Sequence, residues 1–251
     1  MNNNIQLISI EGNIGSGKST LLSNLKKYYG NDTRVIFLRE PVDEWANIKD
    51  ANGVTILEKF YADQVKYSFS FQMMAYISRL KLLRDTIKEI EDKEMRIRIN
   101  LADYESYGGY KFKKYIIITE RSLFTDKMVF AKMLYDTGKI EDVNYQIYLN
   151  WFDTFAKDYP VHKVIYVNAS PETCHKRISI RHRDGEDKIP LDYLKSCHSY
   201  HNQMLDKSKV DCVCNDQLIL DGNNDIYENK EILDDWLNAR SEEHTSELQS
   251  P

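Results

Sequence analysis

Apolar and polar positions along this chain follow two rhythms that take turns. Short, nearly continuous apolar runs occur at residues 5–10, 34–38, 115–119, 163–167 and 217–221. Each has strand length and is too short to be a buried helix. Between them, apolar residues recur at spacings of three and four. These helical stretches cover 18–25, 57–93, 123–155 with a break near Gly138, 172–183, 191–209 and 224–237. Strands alternating with helices predict an α/β fold in which a five-stranded parallel sheet carries helices on both faces. One domain is expected over residues 1–239. Residues 94–114 are charged, rich in tyrosine and interrupted by Gly108-Gly109, so they read as a loop or insertion. Residues 240–251 (RSEEHTSELQSP) are polar and aperiodic. They read as translated adaptor sequence joined to the frame, not as part of the fold.

The turn between the first strand and the first helix carries chemistry. Gly12-Asn13-Ile14-Gly15-Ser16-Gly17-Lys18-Ser19 satisfies G-x-x-x-x-G-K-[ST], and Thr20 follows it. Glycines let backbone N–H groups curl around phosphate oxygens, and the helix that opens there presents its positive dipole end to the same anion. Lys18 supplies charge to the outer phosphates, and the Ser19 hydroxyl suits Mg²⁺. A nucleoside triphosphate site is expected. The other strand ends add Arg39-Glu40-Pro41 and Glu120-Arg121-Ser122, and the carboxyl edge of a parallel sheet is where ligands bind. A carboxylate near Mg²⁺ and a guanidinium near the transferred phosphate are what phosphoryl transfer between small molecules requires. Neither an N-K-x-D nor a D-x-x-G motif is placed as a GTPase switch would need.

The totals narrow the field. The chain has 251 residues and a net charge of −5, which disfavours a general nucleic-acid partner. No apolar run is long enough to span a membrane. Met-Asn-Asn-Asn at the start lacks a targeting pattern, so a cytoplasmic location is expected. Cys174, Cys197, Cys212 and Cys214 have no C-x-x-C spacing and read as reduced thiols.

With these motifs in place the chain resembles the deoxyribonucleoside kinase family, which includes deoxycytidine, deoxyguanosine and deoxyadenosine kinases and the mitochondrial-type thymidine kinase. The carriers are EGNIGSGKST, REPVDEW, SFSFQ with Arg79 behind it, ERSLFTD, and PETC-x-x-RISIRHR followed by IPLDYL. The resemblance implies a P-loop kinase fold with an arginine-bearing lid, and ATP with Mg²⁺ as donor. It also implies transfer to the 5′-hydroxyl of a deoxyribonucleoside, and a homodimer. It makes Glu40 the general base, sets Arg121 on base and phosphate, and puts Glu120 beside Ser19 on Mg²⁺. Gln72 is expected to read the nucleobase, with Phe71 and Phe130 stacking on it and Trp45 near the 5′ end of the nucleoside. Tyr61 and Glu186 match the pair on the 3′-hydroxyl, beside Leu57 and Phe60. Arg177, Arg181 and Arg183 match the lid arginines, and Asp225 falls in the loop for the donor base. Arg79 and Asp126 match residues over the base edge, as in members that favour deoxycytidine or purines over thymidine.

Three other readings stay open on sequence. One is a thymidine-preferring kinase, and another is a thymidylate-kinase-like enzyme, against which Glu40 argues by repelling an acceptor phosphate. The third is a regulatory nucleotide-binding protein without turnover. Removal of residues 240–251 is expected to leave activity and melting temperature unchanged. A loss of several degrees in a thermal melt would show that the segment belongs to the fold.

Overall fold

The computed structural model describes residues 4–101, 113–181 and 189–224. Five strands form one sheet in the order β2-β3-β1-β4-β5. They are β1 (Ile5–Glu11), β2 (Val35–Leu38), β3 (Tyr115–Glu120), β4 (Lys163–Asn168) and β5 (Gln217–Asp221). Every pairing is parallel, with Ile5 opposite Tyr115 and Ile8 opposite Lys163 marking the central registers. The apolar runs are nearly unbroken because these strands are covered on both faces. Alternate residues then sort to opposite sides. Ile5, Leu7 and Ile117 join one core, whereas Ile8, Ile10, Ile116 and Ile118 join another with Leu21, Leu22 and Leu25 of helix α1 (Lys18–Tyr29).

The first core is completed by α4 (Gln64–Leu101), which presents Tyr76, Leu80, Leu83 and Ile87 to the sheet. Ahead of it lie α2 (Val42–Ala46) and α3 (Ile56–Ala62). After β3 come α5 (Leu123–Thr125), a π-helical turn at Asp126–Ala131, α6 (Lys132–Asp136) and α7 (Asp142–Phe155). Helices α8 (Pro171–Arg181) and α9 (Leu191–Met204) follow β4.

Several boundaries differ from the sequence expectation. The stretch expected to be one helix from residue 57 is split at Asp63, which closes α3, while a capping box of Thr55 and Glu58 opens that helix. Residues 94–101, read as the start of a loop, continue α4. The buried Glu94 carboxylate there accepts from Tyr115 Oη at 2.6 Å, a link that ties this charged turn to the first residue of β3. The helix expected to reach Lys209 ends at Met204. The expected final helix at 224–237, most of the 102–114 segment and the 240–251 tail lie outside the described residues.

Candidate active site

The phosphate loop is shaped by packing as well as by freedom of φ. At Gly12 (φ 144°) a Cβ would sit 2.6 Å from the Val167 carbonyl oxygen, and at Gly15 (φ 80°) 2.7 Å from that of Cys174. Only glycine fits at either position. Gly17 caps α1 with no side-chain bond, and the first turn holds no acidic residue, so its N–H groups remain directed at the loop. Lys18 is buried, and its Nζ donates to the Asn13 carbonyl at 2.7 Å. Burial lowers its ammonium to about 7, with Arg121 adding to the depression while Glu120 and Glu40 oppose it.

The ends of β2 and β3 bring a cluster of charges beside this loop. Burial alone would push the Glu40 carboxyl up, but Arg121, Arg79 and Lys18 together hold it down at about 2. Arg79 Nη2 donates to Glu40 Oε1 at 2.9 Å, and Arg121 Nη1 donates to Oε2 at 3.3 Å. Arg79 also donates through Nε to Asp126 at 2.9 Å and through Nη1 to the Glu120 carbonyl at 2.8 Å. Burial raises the Asp126 carboxyl against the pull of Arg79. Arg121 lies 5.1 Å over the Phe130 ring, and it is the only non-glycine residue with positive φ among the described residues, at 65°. Such a conformation costs on the order of 1–3 kcal/mol and persists where surrounding contacts impose it. Ser19 Oγ donates to Glu120 Oε1 at 2.5 Å.

Beyond Glu40 the site becomes apolar. Phe60 stacks on Phe71 at 4.6 Å, Trp45 meets Phe71 edge-on at 5.6 Å, and Trp45 Nε1 donates to Ser78 Oγ. Gln72 is buried among them, and its Oε1 has no hydrogen-bond partner. An unmet buried amide oxygen in an apolar wall is a costly feature unless a ligand supplies the donor. Loop, charge cluster and apolar slot form one continuous cavity of about 500 Å³. It is also lined by Ile14, Ser16, Thr20, Leu57, Tyr61, Arg177 and Arg181.

Of the residues singled out by sequence, two in the loop stand apart from the lining. The Gly12 carbonyl accepts from Arg121 Nη2 at 3.4 Å, and Asn13 Nδ2 donates away to Leu194 of α9 at 2.8 Å. Arg177 is on the cavity wall, but its Nη1 and Nη2 donate to the carbonyls of Gly222 at 2.6 Å and Asn224 at 3.1 Å. Arg183, Glu186 and Asp225 lie outside the described residues. Sequence reasoning missed Tyr193, which lines the cavity and meets Tyr61 edge-on at 6.5 Å. Its position in IPLDYL, directly behind the lid motif, is the signal that could have found it.

The family model for deoxynucleoside kinases matches residues 8–244. The chain belongs to the deoxynucleoside kinase family. The match extends five residues into the terminal string that begins at residue 240. Among curated proteins, the deoxycytidine kinase of Homo sapiens is 33% identical over 217 residues, covering 80% of this chain and 75% of that protein. The deoxycytidine kinase of Rattus norvegicus is 32% identical over 217 residues with the same coverage. The mitochondrial thymidine kinase 2 of Homo sapiens is 29% identical over 206 residues, covering 81% of this chain and 66% of that protein. This deoxynucleoside kinase has the P-loop α/β fold expected from its sequence, and its chemistry is phosphoryl transfer to a deoxynucleoside. No helix among the described residues is long and apolar enough to cross a membrane.

Proposed function

We propose that this kinase transfers the γ-phosphate of ATP to the 5′-hydroxyl of deoxycytidine or a purine deoxyribonucleoside. The observation that carries the reading is the placement of Glu40 between two arginines, in one cavity that joins the phosphate loop to an apolar slot holding the unmet Gln72 oxygen. In this reading the triphosphate lies on the loop and the α1 N-terminus, with Lys18 and Arg121 countering its charge. The nucleobase fills the slot between Phe71 and Phe130 and supplies a donor to Gln72 Oε1. The sugar lies along Tyr61, Leu57 and Phe60, which directs its 5′-hydroxyl at Glu40. Glu40, ionised throughout the neutral range, accepts that proton as the oxygen attacks.

Among the described residues no group of three or more His, Cys, Asp or Glu could hold a metal on its own. Ser19 and Glu120 offer one hydroxyl and one carboxylate, hard oxygen ligands that fit Mg²⁺ arriving on a triphosphate. Bound there, Mg²⁺ would neutralise phosphate charge. Homodimer formation is supported by Val143, Ile147 and Trp151, exposed at four-residue spacing along one face of α7, with Ile77 exposed on α4.

The direct test is incubation with ATP, Mg²⁺ and each of the four natural deoxyribonucleosides, with thymidine monophosphate as a fifth acceptor, scored by the phosphorylated product formed. Deoxycytidine or a purine nucleoside is expected to lead, with thymidine poor. A best rate on thymidine, or on a nucleoside monophosphate, overturns the assignment.

Lys18 gives a second measurement. A phosphate favours its charged form, so donor capture takes up a proton and weakens as that proton is lost. The donor kcat/KM is expected to fall as pH rises above about 7, by up to about tenfold per pH unit. A flat profile between about pH 6 and about pH 9 would show that Lys18 stays charged in the free enzyme.

A further inference from the structure

Glu11 ends β1 as a fully buried carboxylate with no part in the chemistry described so far. A buried carboxylate is costly unless its lone pairs are filled, and here three donors fill them. Ser9 Oγ donates to Oε1 at 2.5 Å, the Ser122 backbone N–H donates to Oε1 at 3.0 Å, and Thr125 Oγ1 donates to Oε2 at 2.5 Å. The last two donors belong to one short turn. Ser122 caps α5, and its Oγ accepts from the Thr125 N–H at 3.3 Å. Ser122 also directly follows Arg121, whose φ of 65° is the strained backbone of the site.

Glu11 therefore grips the chain immediately after the strained residue and again three residues later, from the strand that leads into the phosphate loop. The loop end of this link is closed by Arg121 itself, which donates to the carbonyl of Gly12, the residue after Glu11. We propose that Glu11 is a positioning residue that holds Arg121 in its left-handed conformation and so aims the guanidinium at Glu40 and the transferred phosphate. This inference rests on the role given to Arg121 above.

A carboxylate serves all three donors at once and bonds them through its charge. In Glu11→Gln that charge is lost. An amide N–H₂ turned to Ser122 faces an obligate backbone donor, and one turned to Thr125 makes that hydroxyl reverse its bond and point at Ser122 Oγ, 3.2 Å away. The grip on the turn weakens either way. The test is a double-mutant cycle on kcat with Arg121→Lys, together with Thr125→Val and Ser9→Ala. Glu11→Gln and Thr125→Val are each expected to lower kcat roughly 10–100-fold, with donor and nucleoside KM changed less than about threefold. Ser9→Ala, which leaves the turn held, is expected to stay within about threefold of the parent. In the Arg121→Lys background, Glu11→Gln is expected to cost less than about threefold, because the group it positions is gone. Equal cost in both backgrounds, or full kcat in a folded Glu11→Gln protein, overturns the inference. If Glu11→Gln does not fold, the same cycle with Thr125→Val decides it. Full turnover in Arg121→Lys alone would instead overturn the role of Arg121.

Discussion

Replacing Glu40 by Gln is expected to lower turnover by roughly 10²–10⁴ while nucleoside binding changes little, since shape is kept and the proton acceptor is lost. The geometry adds a second route to the loss. Glu40 holds Arg79 at 2.9 Å and Arg121 at 3.3 Å, so an amide leaves two guanidinium groups without the charge they share. Arg79 keeps Asp126, but the described ion pairs give Arg121 no other carboxylate. Part of the deficit would then be a misplaced Arg121, and Glu40→Asp separates the parts. It keeps the charge but shortens the reach, so it should restore more stability than turnover.

The pH dependence of stability provides a check that does not rely on turnover. The Glu40 carboxyl is held below its ordinary value, so it stabilises the fold above about 4.5, and that contribution is lost as pH falls toward about 2. The stability gap between parent and Glu40→Gln is therefore expected to be full at neutral pH and to shrink on acidification. Denaturant titrations at several pH values measure it. A gap unchanged down to about pH 2 would show that the Glu40 charge does not stabilise the fold, and turnover of Glu40→Gln within a few-fold of the parent would remove Glu40 from the role of base.

Much of the architecture was legible because each strand is a short apolar run with a polar or glycine-rich end. The phosphate loop was legible because its glycines are dictated by close approach, as at Gly12 and Gly15. What sequence could not show was how the charges divide among one another. The family resemblance sets Arg79 over the nucleobase edge, whereas in the structure its guanidinium bonds Asp126, Glu40 and the Glu120 carbonyl. Those partners come from β2 and β3, and no local pattern pairs them. The split at Asp63 escaped the periodicity because the apolar rhythm runs on through it. The π-helical turn at Asp126–Ala131 has no sequence signature either, although it carries both Asp126 and Phe130 into the cavity. Glu11 was hidden in plain view, a carboxylate at the end of a mostly apolar strand.

The multiple attachments of Arg79 alter what is expected when base preference is challenged. The Arg79–Asp126 pair is almost fully buried on the cavity wall, where a polar nucleobase edge can bond to it. The 5-methyl of thymine would gain no apolar contact there, and it would crowd two paired charges. Replacing Arg79→Met together with Asp126→Ala turns that corner into an apolar slot and removes both charges at once. The ratio of thymidine to deoxycytidine kcat/KM is expected to rise by roughly tenfold or more, since a methyl placed in a matching pocket gains about 1–3 kcal/mol. Absolute rates should nevertheless fall on every substrate, because the same change strips Glu40 of one of its two arginines. A single change is worse on both counts. Asp126→Ala leaves Arg79 with Glu40 as its one carboxylate beside the Glu120 carbonyl, and Arg79→Met strands a buried Asp126 whose carboxyl is already pushed up by burial. The single variants should therefore lose activity with little gain in the ratio, and the double variant should recover part of it on thymidine alone. Rates for the four proteins on both nucleosides measure this as a cycle. If the ratio does not move in the double variant, Arg79 and Asp126 brace Glu40 without reading the nucleobase.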